Sequence, residues 1–288
     1  TTSVELLDAC WARMDALNPT LNAMIWTERE AAYDAARAAD ATARAGKPLG
    51  LLHGIPMAHK DMYYQAGRLA TCGSALRQDW RPEVTATVIS RMAQEGAYVF
   101  GGLNMAEFAQ NPTGHNKTFG DCHNPWSPPR ITGGSSSASG VAVAGRFNFM
   151  ALGSDTGASI RVPAHFCGVV GIKPTWGRVS RAGAMPLSWS LDTVGPLART
   201  VEDAALLLGL VAGADPADPT AADIPVPDYV AGLARGAKGL RIGVPTRFFT
   251  DCDDDTKRLL ADAERVFASL GTIVVKVDPP DMDRLNAF

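Results

Sequence analysis

Apolar positions recur at helical spacing from the first residues of the chain. Val4, Leu7, Trp11, Met14 and Leu17 line up on one face behind a Thr2 and Glu5 pair that reads as a capping box. Asn18-Pro19 predicts the end of that helix. The alanine-rich stretch 28–45 predicts a second helix, closed by Gly46 and Pro48. Residues 51–62 mix apolar and polar positions around Gly54 and Pro56, which predicts a strand leading into a loop. A helix over 85–95, capped by Gly96, precedes a short strand over 97–100. Further strands are predicted over 147–152 and 168–172, and Thr200 with Asp203 caps a helix running to Val211. A strand over 240–244, a helix over 254–270 and a strand over 272–277 follow. This alternation predicts an α/β layered fold with a largely parallel or mixed sheet.

Residues 133–161 break the pattern and organise the rest. Two short polar, glycine-bearing runs, 133–140 and 153–159, flank an apolar segment over 141–152. Small residues let backbone N–H groups approach a ligand, and serines among them present hydroxyls. Polar loops tethered to a buried segment line something. Residues 215–227, rich in Pro, Ala and Asp, read as a long surface loop, with an interdomain linker as the alternative.

Composition narrows the chemistry. The 288 residues are 46% hydrophobic and 20% charged with a net charge of −3, so bulk electrostatics gives no reason to expect a nucleic-acid partner. No apolar run reaches membrane-spanning length and no signal peptide is recognised. Five cysteines without a CxxC pair predict a reducing, cytoplasmic setting. The five histidines form no metal-binding spacing, so neither metal nor cofactor is expected. GxSxG, Walker A and GxGxxG are all absent. The central serines therefore need a base other than histidine, and lysine is the usual substitute. Lys60 follows an apolar run and a Gly-x-Pro bend. Burial strong enough to bring a lysine from about 10.4 to near 7 takes roughly 4–5 kcal/mol, and a neutral lysine can take a proton from a serine. Taken alone, Lys60 reads as an ordinary lysine paired with Asp61 or solvent.

GxPxxxKD over 54–61, GGSS over 133–136 and GSDTGxSIRxPA over 153–164 resemble the amidase signature family. Leu103-Asn104-Met105-Ala106-Glu107-Phe108, Asn124-Pro125-Trp126 and Leu191-Asp192-Thr193-Val194-Gly195-Pro196 continue the likeness, which runs through residues 1–220 and fades after that. The resemblance implies an α/β/α sandwich around a large mixed β-sheet, with residues 1–288 as the larger, N-terminal part of a longer amidase signature domain. It implies a Ser–cis-Ser–Lys triad: Ser159 as nucleophile, Ser135 as the bridging serine after a cis peptide bond, and Lys60 as general base. Backbone N–H groups of Thr156, Gly157, Ala158 and Ser159 would form the oxyanion hole, and Ser136 a supporting hydroxyl. Gln110 and Asn111 would line the pocket. Arg161 would bind a substrate carboxylate or, the favoured role, form a structural ion pair.

Three departures stand out. Ser137, Ala138 and Ala158 occupy positions where the family commonly has glycine. Ala158 is harmless if its φ is negative and strains the turn if its φ is positive. His59 replaces the usual apolar residue before the lysine, as filler or as an electrostatic influence on Lys60. The implied activity is a stand-alone amidase acting on a small carboxamide through an acyl-enzyme, with a homodimer considered and no direct nucleic-acid or membrane partner. The alternative is the glutaminase (A-type) component of a glutamyl-tRNA amidotransferase, releasing ammonia from glutamine for a partner. A non-catalytic relative is the third reading, kept open by Ala158. Family members are considerably longer, which implies that strands and pocket walls lie beyond the ending at Phe288.

Overall fold

A computed structural model of the chain describes residues 1–247 and 251–278. The chain-end residues Leu285 to Phe288 lie outside them. Two compact units are present, Thr1–Val230 and Ala231–Phe288.

In the first unit the capping box forms as predicted: Thr2 Oγ1 accepts the Glu5 N–H at 3.1 Å and Glu5 returns the bond to the Thr2 N–H at 2.8 Å. Helix α1 (Ser3–Leu21) runs past Pro19 to the left-handed cap Asn22. Pro19 removes one donor, but the Asn22 N–H still bonds the Asn18 carbonyl, and the Asn18 side chain accepts from Ala23 and Met24. The predicted stop at Asn18-Pro19 is therefore one turn early. Strand β1 (Met24–Thr27), helix α2 (Arg29–Arg44), strand β2 (Pro56–Lys60), helix α3 (Thr87–Gln94) and strand β3 (Tyr98–Leu103) follow. Then come helix α4 (Ser137–Ala144), strand β4 (Met150–Asp155), helix α5 (Arg161–Cys167), the two-residue strand β5 (Val170–Gly171), strand β6 (Thr193–Ala198) and helix α6 (Val201–Val211).

Strand faces alternate between two cores. Ala58, Phe100 and Ala151 pack among the apolar residues of α1, α2 and α4, whereas Met57, Met150 and Leu152 pack among those of α3 and α6. That is the expected α/β/α layering. The sheet at its centre is not continuous, however. It comes as two three-stranded sheets, β1-β3-β2 and β4-β6-β5, with β2 parallel and β1 antiparallel to β3, and β4 and β5 both antiparallel to β6. β6 holds Pro196 although it is the middle strand. The missing donor faces the side of β5, which ends at Gly171, and Pro196 still accepts from the Ile172 N–H at 3.0 Å.

The stretch 215–227 belongs to this unit. Asp215 accepts from Thr87 and Ser180, Asp218 from the Arg181 N–H, and the Ile224 and Pro225 carbonyls from Arg178. Helix α7 (Tyr229–Gly232) comes next in the chain. The second unit carries strand β7 (Arg241–Pro245), helix α8 (Asp254–Ser269) and strand β8 (Ile273–Val277), with the two strands parallel. No helix among the described residues is long and apolar enough to cross a membrane.

Candidate active site

Lys60 is the last residue of β2 and is wholly buried. Its Nζ donates to Ser135 Oγ at 2.6 Å and to Ser154 Oγ at 2.8 Å, and no carboxylate bonds it among the described residues. Burial lowers its pKa to about 7, against the opposing pull of Asp192, Asp155 and the Cys72 sulfur. Asp61 is not its partner. Asp61 turns instead to the Trp26 indole N–H at 2.8 Å and to the Thr71 N–H at 2.8 Å, with the Thr71 hydroxyl bonded as well. Burial raises Asp61 to about 6 despite these donors.

Ser135 sits just before α4, and the Gly134–Ser135 peptide is cis. Gly134 is required by close approach: a Cβ there would meet the Asn111 carbonyl at 2.6 Å and the Gly114 nitrogen at 2.8 Å. This explains Asn111. Its Oδ1 accepts from the Thr113 and Gly114 N–H groups and the Thr113 hydroxyl, and its Nδ2 donates to the His115 carbonyl. With every polar atom spent on its own loop, Asn111 braces the backbone behind Gly134 and does not present itself to a substrate, contrary to expectation. Gln110 is exposed and follows two non-glycine residues with positive φ, Phe108 (47°) and Ala109 (62°).

Ser159 stands in the turn between β4 and α5, half-buried, and its hydroxyl has no partner among the described residues. Its carbonyl accepts from the Ser136 N–H at 3.3 Å, which ties the two serine runs together. The turn is built around Asp155, which is fully buried. Asp155 accepts from the N–H groups of Ala158 (2.8 Å) and Ile160 (3.1 Å) and from Arg161 Nε and Nη2 at 3.0 Å each. Burial pushes this carboxyl up, yet the Arg161 and backbone donors outweigh it and hold it below the usual carboxylate range. Arg161 thus forms the structural ion pair.

The Ala158 N–H, spent on Asp155, is not available to an oxyanion, which corrects that part of the expected hole. The backbone N–H groups of Thr156, Gly157 and Ser159 have no partner among the described residues. The Thr156 hydroxyl donates to Asp192 Oδ1 at 2.5 Å, and Asp192 also accepts from the Leu187 and Ser188 N–H groups. Ala158 adopts φ 97°, so the strained alternative is the one realised.

Ser154 is the site residue that the chain did not reveal in advance. Its hydroxyl accepts from Lys60, while its N–H and carbonyl are both bonded by Ser136 Oγ at 3.2 Å. A small cavity of about 20 Å³, lined by Met62, Ser154, Arg181, Met185, Trp189 and Asp192 among others, adjoins it.

A family profile described as Amidase matches residues 5–288. The chain belongs to the amidase family.

Among the relatives of this amidase-family chain, the A-type component of the glutamyl-tRNA(Gln) amidotransferase of Geobacter sp. (strain M21) is 43% identical over 283 residues, covering 98% of this chain and 58% of that protein. The crystal structure of a native peptide amidase from Stenotrophomonas maltophilia superposes with a TM-score of 0.93 at 36% identity, covering all of this chain and 61% of that one. The corresponding glutamyl-tRNA(Gln) amidotransferase component from Thermotoga maritima gives a TM-score of 0.84 at 31% identity, covering 97% of this chain and 62% of that one. The chain therefore spans about three fifths of the length of these amidase-family relatives.

Proposed function

We propose that the protein hydrolyses a carboxamide to a carboxylic acid and ammonia or an amine through an acyl-enzyme on Ser159. The observation that carries this reading is Lys60: buried, brought to about 7, and 2.6 Å from the hydroxyl of Ser135. Neutral Lys60 takes the Ser135 proton as Ser135 takes that of Ser159, and Ser159 Oγ attacks the amide carbonyl. Free N–H groups of Thr156, Gly157 and Ser159 receive the oxyanion; each such donor contributes roughly 3–4 kcal/mol in acyl transfer. The Lys60 ammonium then returns its proton through Ser135 to the leaving nitrogen, and the C–N bond breaks. Water attacks the ester by the same relay, releasing the acid and restoring Ser159. No cofactor takes part.

A free-standing amidase is supported by the TM-score of 0.93 with the peptide amidase, against 0.84 with the Thermotoga amidotransferase component. The second reading, the glutaminase component of a glutamyl-tRNA amidotransferase, is favoured by the 43% identity with the Geobacter protein. Ammonia release by the whole protein from a panel of simple amides and glutamine, beside Ser159→Ala, tests both. Release from simple amides that vanishes in the variant supports the amidase. Release from glutamine alone, and only with partner proteins present, supports the amidotransferase. No release from any amide, with or without partners, sinks both readings.

A further inference from the structure

β2 carries Lys60, and β4 carries Ser154 and Asp155. The two strands are facing edges of separate sheets, in contact, yet among the described residues no backbone hydrogen bond links them. A buried strand edge without a ladder leaves N–H and C=O groups that must be satisfied in another way.

Side chains satisfy them one by one. Asn148 spans Ala58, accepting its N–H at 3.2 Å and donating to its carbonyl at 2.7 Å. His59 Nδ1 accepts the Leu152 N–H at 3.1 Å. The Leu152 carbonyl accepts from the Ser139 hydroxyl at 3.1 Å, and the Gly153 carbonyl from the Tyr63 hydroxyl at 2.6 Å. The next contact along the seam is Lys60 on Ser154.

His59 is an unexpected side chain for this place. It is buried, and desolvation lowers its pKa to about 3, so it is neutral and adds no charge beside Lys60. Accepting on Nδ1 puts its proton on Nε2, which is buried without a partner among the described residues. An apolar residue would remove that unpaired N–H but orphan the one on Leu152. The two effects oppose each other, so stability alone does not select histidine.

We propose that His59 and Asn148 are positioning residues, which set the register of β2 against β4 and thereby hold Lys60 Nζ between Ser135 and Ser154. This rests on Lys60 being the base of the proposed reaction. His59 is then neither filler nor an electrostatic influence. It is a peg across a seam that no backbone ladder closes. A reacting group misplaced by about 1 Å loses on the order of a hundredfold in rate, so a small slip along this seam falls on the chemical step.

The test is phosphonylation of Ser159 by a fluorophosphonate in the whole protein, separating the maximal inactivation rate from the inhibitor's apparent binding constant. His59→Leu is expected to lower the maximal rate by about 30-fold with binding unchanged. His59→Gln, which keeps an acceptor for Leu152, is expected to return to within about fivefold of the parent. Asn148→Ser loosens the same seam from its other anchor and gives the same split, which keeps the test open should His59→Leu not fold. A His59→Leu protein with a lowered melting temperature and an unchanged maximal rate overturns the positioning role. A Lys60→Met protein that reacts at the parent rate overturns instead the reading of Lys60 on which it rests.

Discussion

The two serine runs are both built of small residues, yet their serines Ser135 and Ser159 have different environments. Ser135 is fully buried, accepts from Lys60 and leads into a helix whose Ser137, Ala138, Ser139 and Gly140 are themselves buried. Ser159 lies half-buried in a turn built around Asp155, with a hydroxyl that has no partner among the described residues and a neighbour at positive φ. One run is dry and holds the serine bonded to Lys60. The other is an open turn. The Ser136 N–H to Ser159 carbonyl bond ties them together.

Removing the open side should have the largest effect. Ser159→Ala is expected to lower amide turnover by about 10⁴-fold or more, read by ammonia release, and to abolish fluorophosphonate labelling. Removing the dry side comes next. Lys60→Met is expected to cost about 10²–10⁴-fold in turnover. The same variant should stabilise the fold by about 2 kcal/mol near neutral pH, since an ammonium no longer needs to be desolvated and only two hydrogen bonds are lost. Lys60 is depressed from 10.5 unfolded to about 7 folded. Between those values the unfolded chain binds the extra proton, so the parent gains stability as pH rises. The variant's advantage is full below about pH 7 and gone above about 10.5, which urea titrations at several pH values check.

Asp155→Asn separates the turn from the dry side. It is expected to cost about 2–3 kcal/mol by denaturant titration, less than a fully buried pair because the Arg161 side chain is half exposed. Turnover should also report the lysine. With neutral Lys60 required, kcat/KM is expected to fall ~tenfold per unit below about pH 7. Asp192 and Asp155 pull that limb upward, as does the Cys72 sulfur. A flat profile between pH 5 and 8 would remove Lys60 from the base role. The smallest effect belongs to Ala158→Gly, which should relax φ 97° and raise stability by about 1 kcal/mol without loss of turnover.

Local chemistry made part of this molecule legible in advance. The capping box of α1, the Thr200 cap of α6 and the alternation in the second unit follow from side chains a few residues apart, and they form where expected. Helix α4 was hidden because it is buried all round, so no polar face marks its period. β6 was hidden by Gly195-Pro196, tolerable only because its neighbour β5 is so short. Lys60, Ser135 and Ser159 were found through the family resemblance, and the structure brings Lys60 and Ser135 into contact. Ser154 enters through the lateral register of β2 and β4, which no local pattern encodes. Asn111 misled for the converse reason: it looks ready for a ligand but its side chain bonds its own loop, whereas Arg161 forms the favoured ion pair, with Asp155.

The two bonds of Lys60 close loops of 75 and 94 residues. Such closures are entropically costly and are rewarded only once the intervening strands have docked. On the proposed reading, the base of the relay exists only after these strands have docked: a chain that has not yet brought them together holds a hydrated Lys60 with neither Ser135 nor Ser154 on its Nζ.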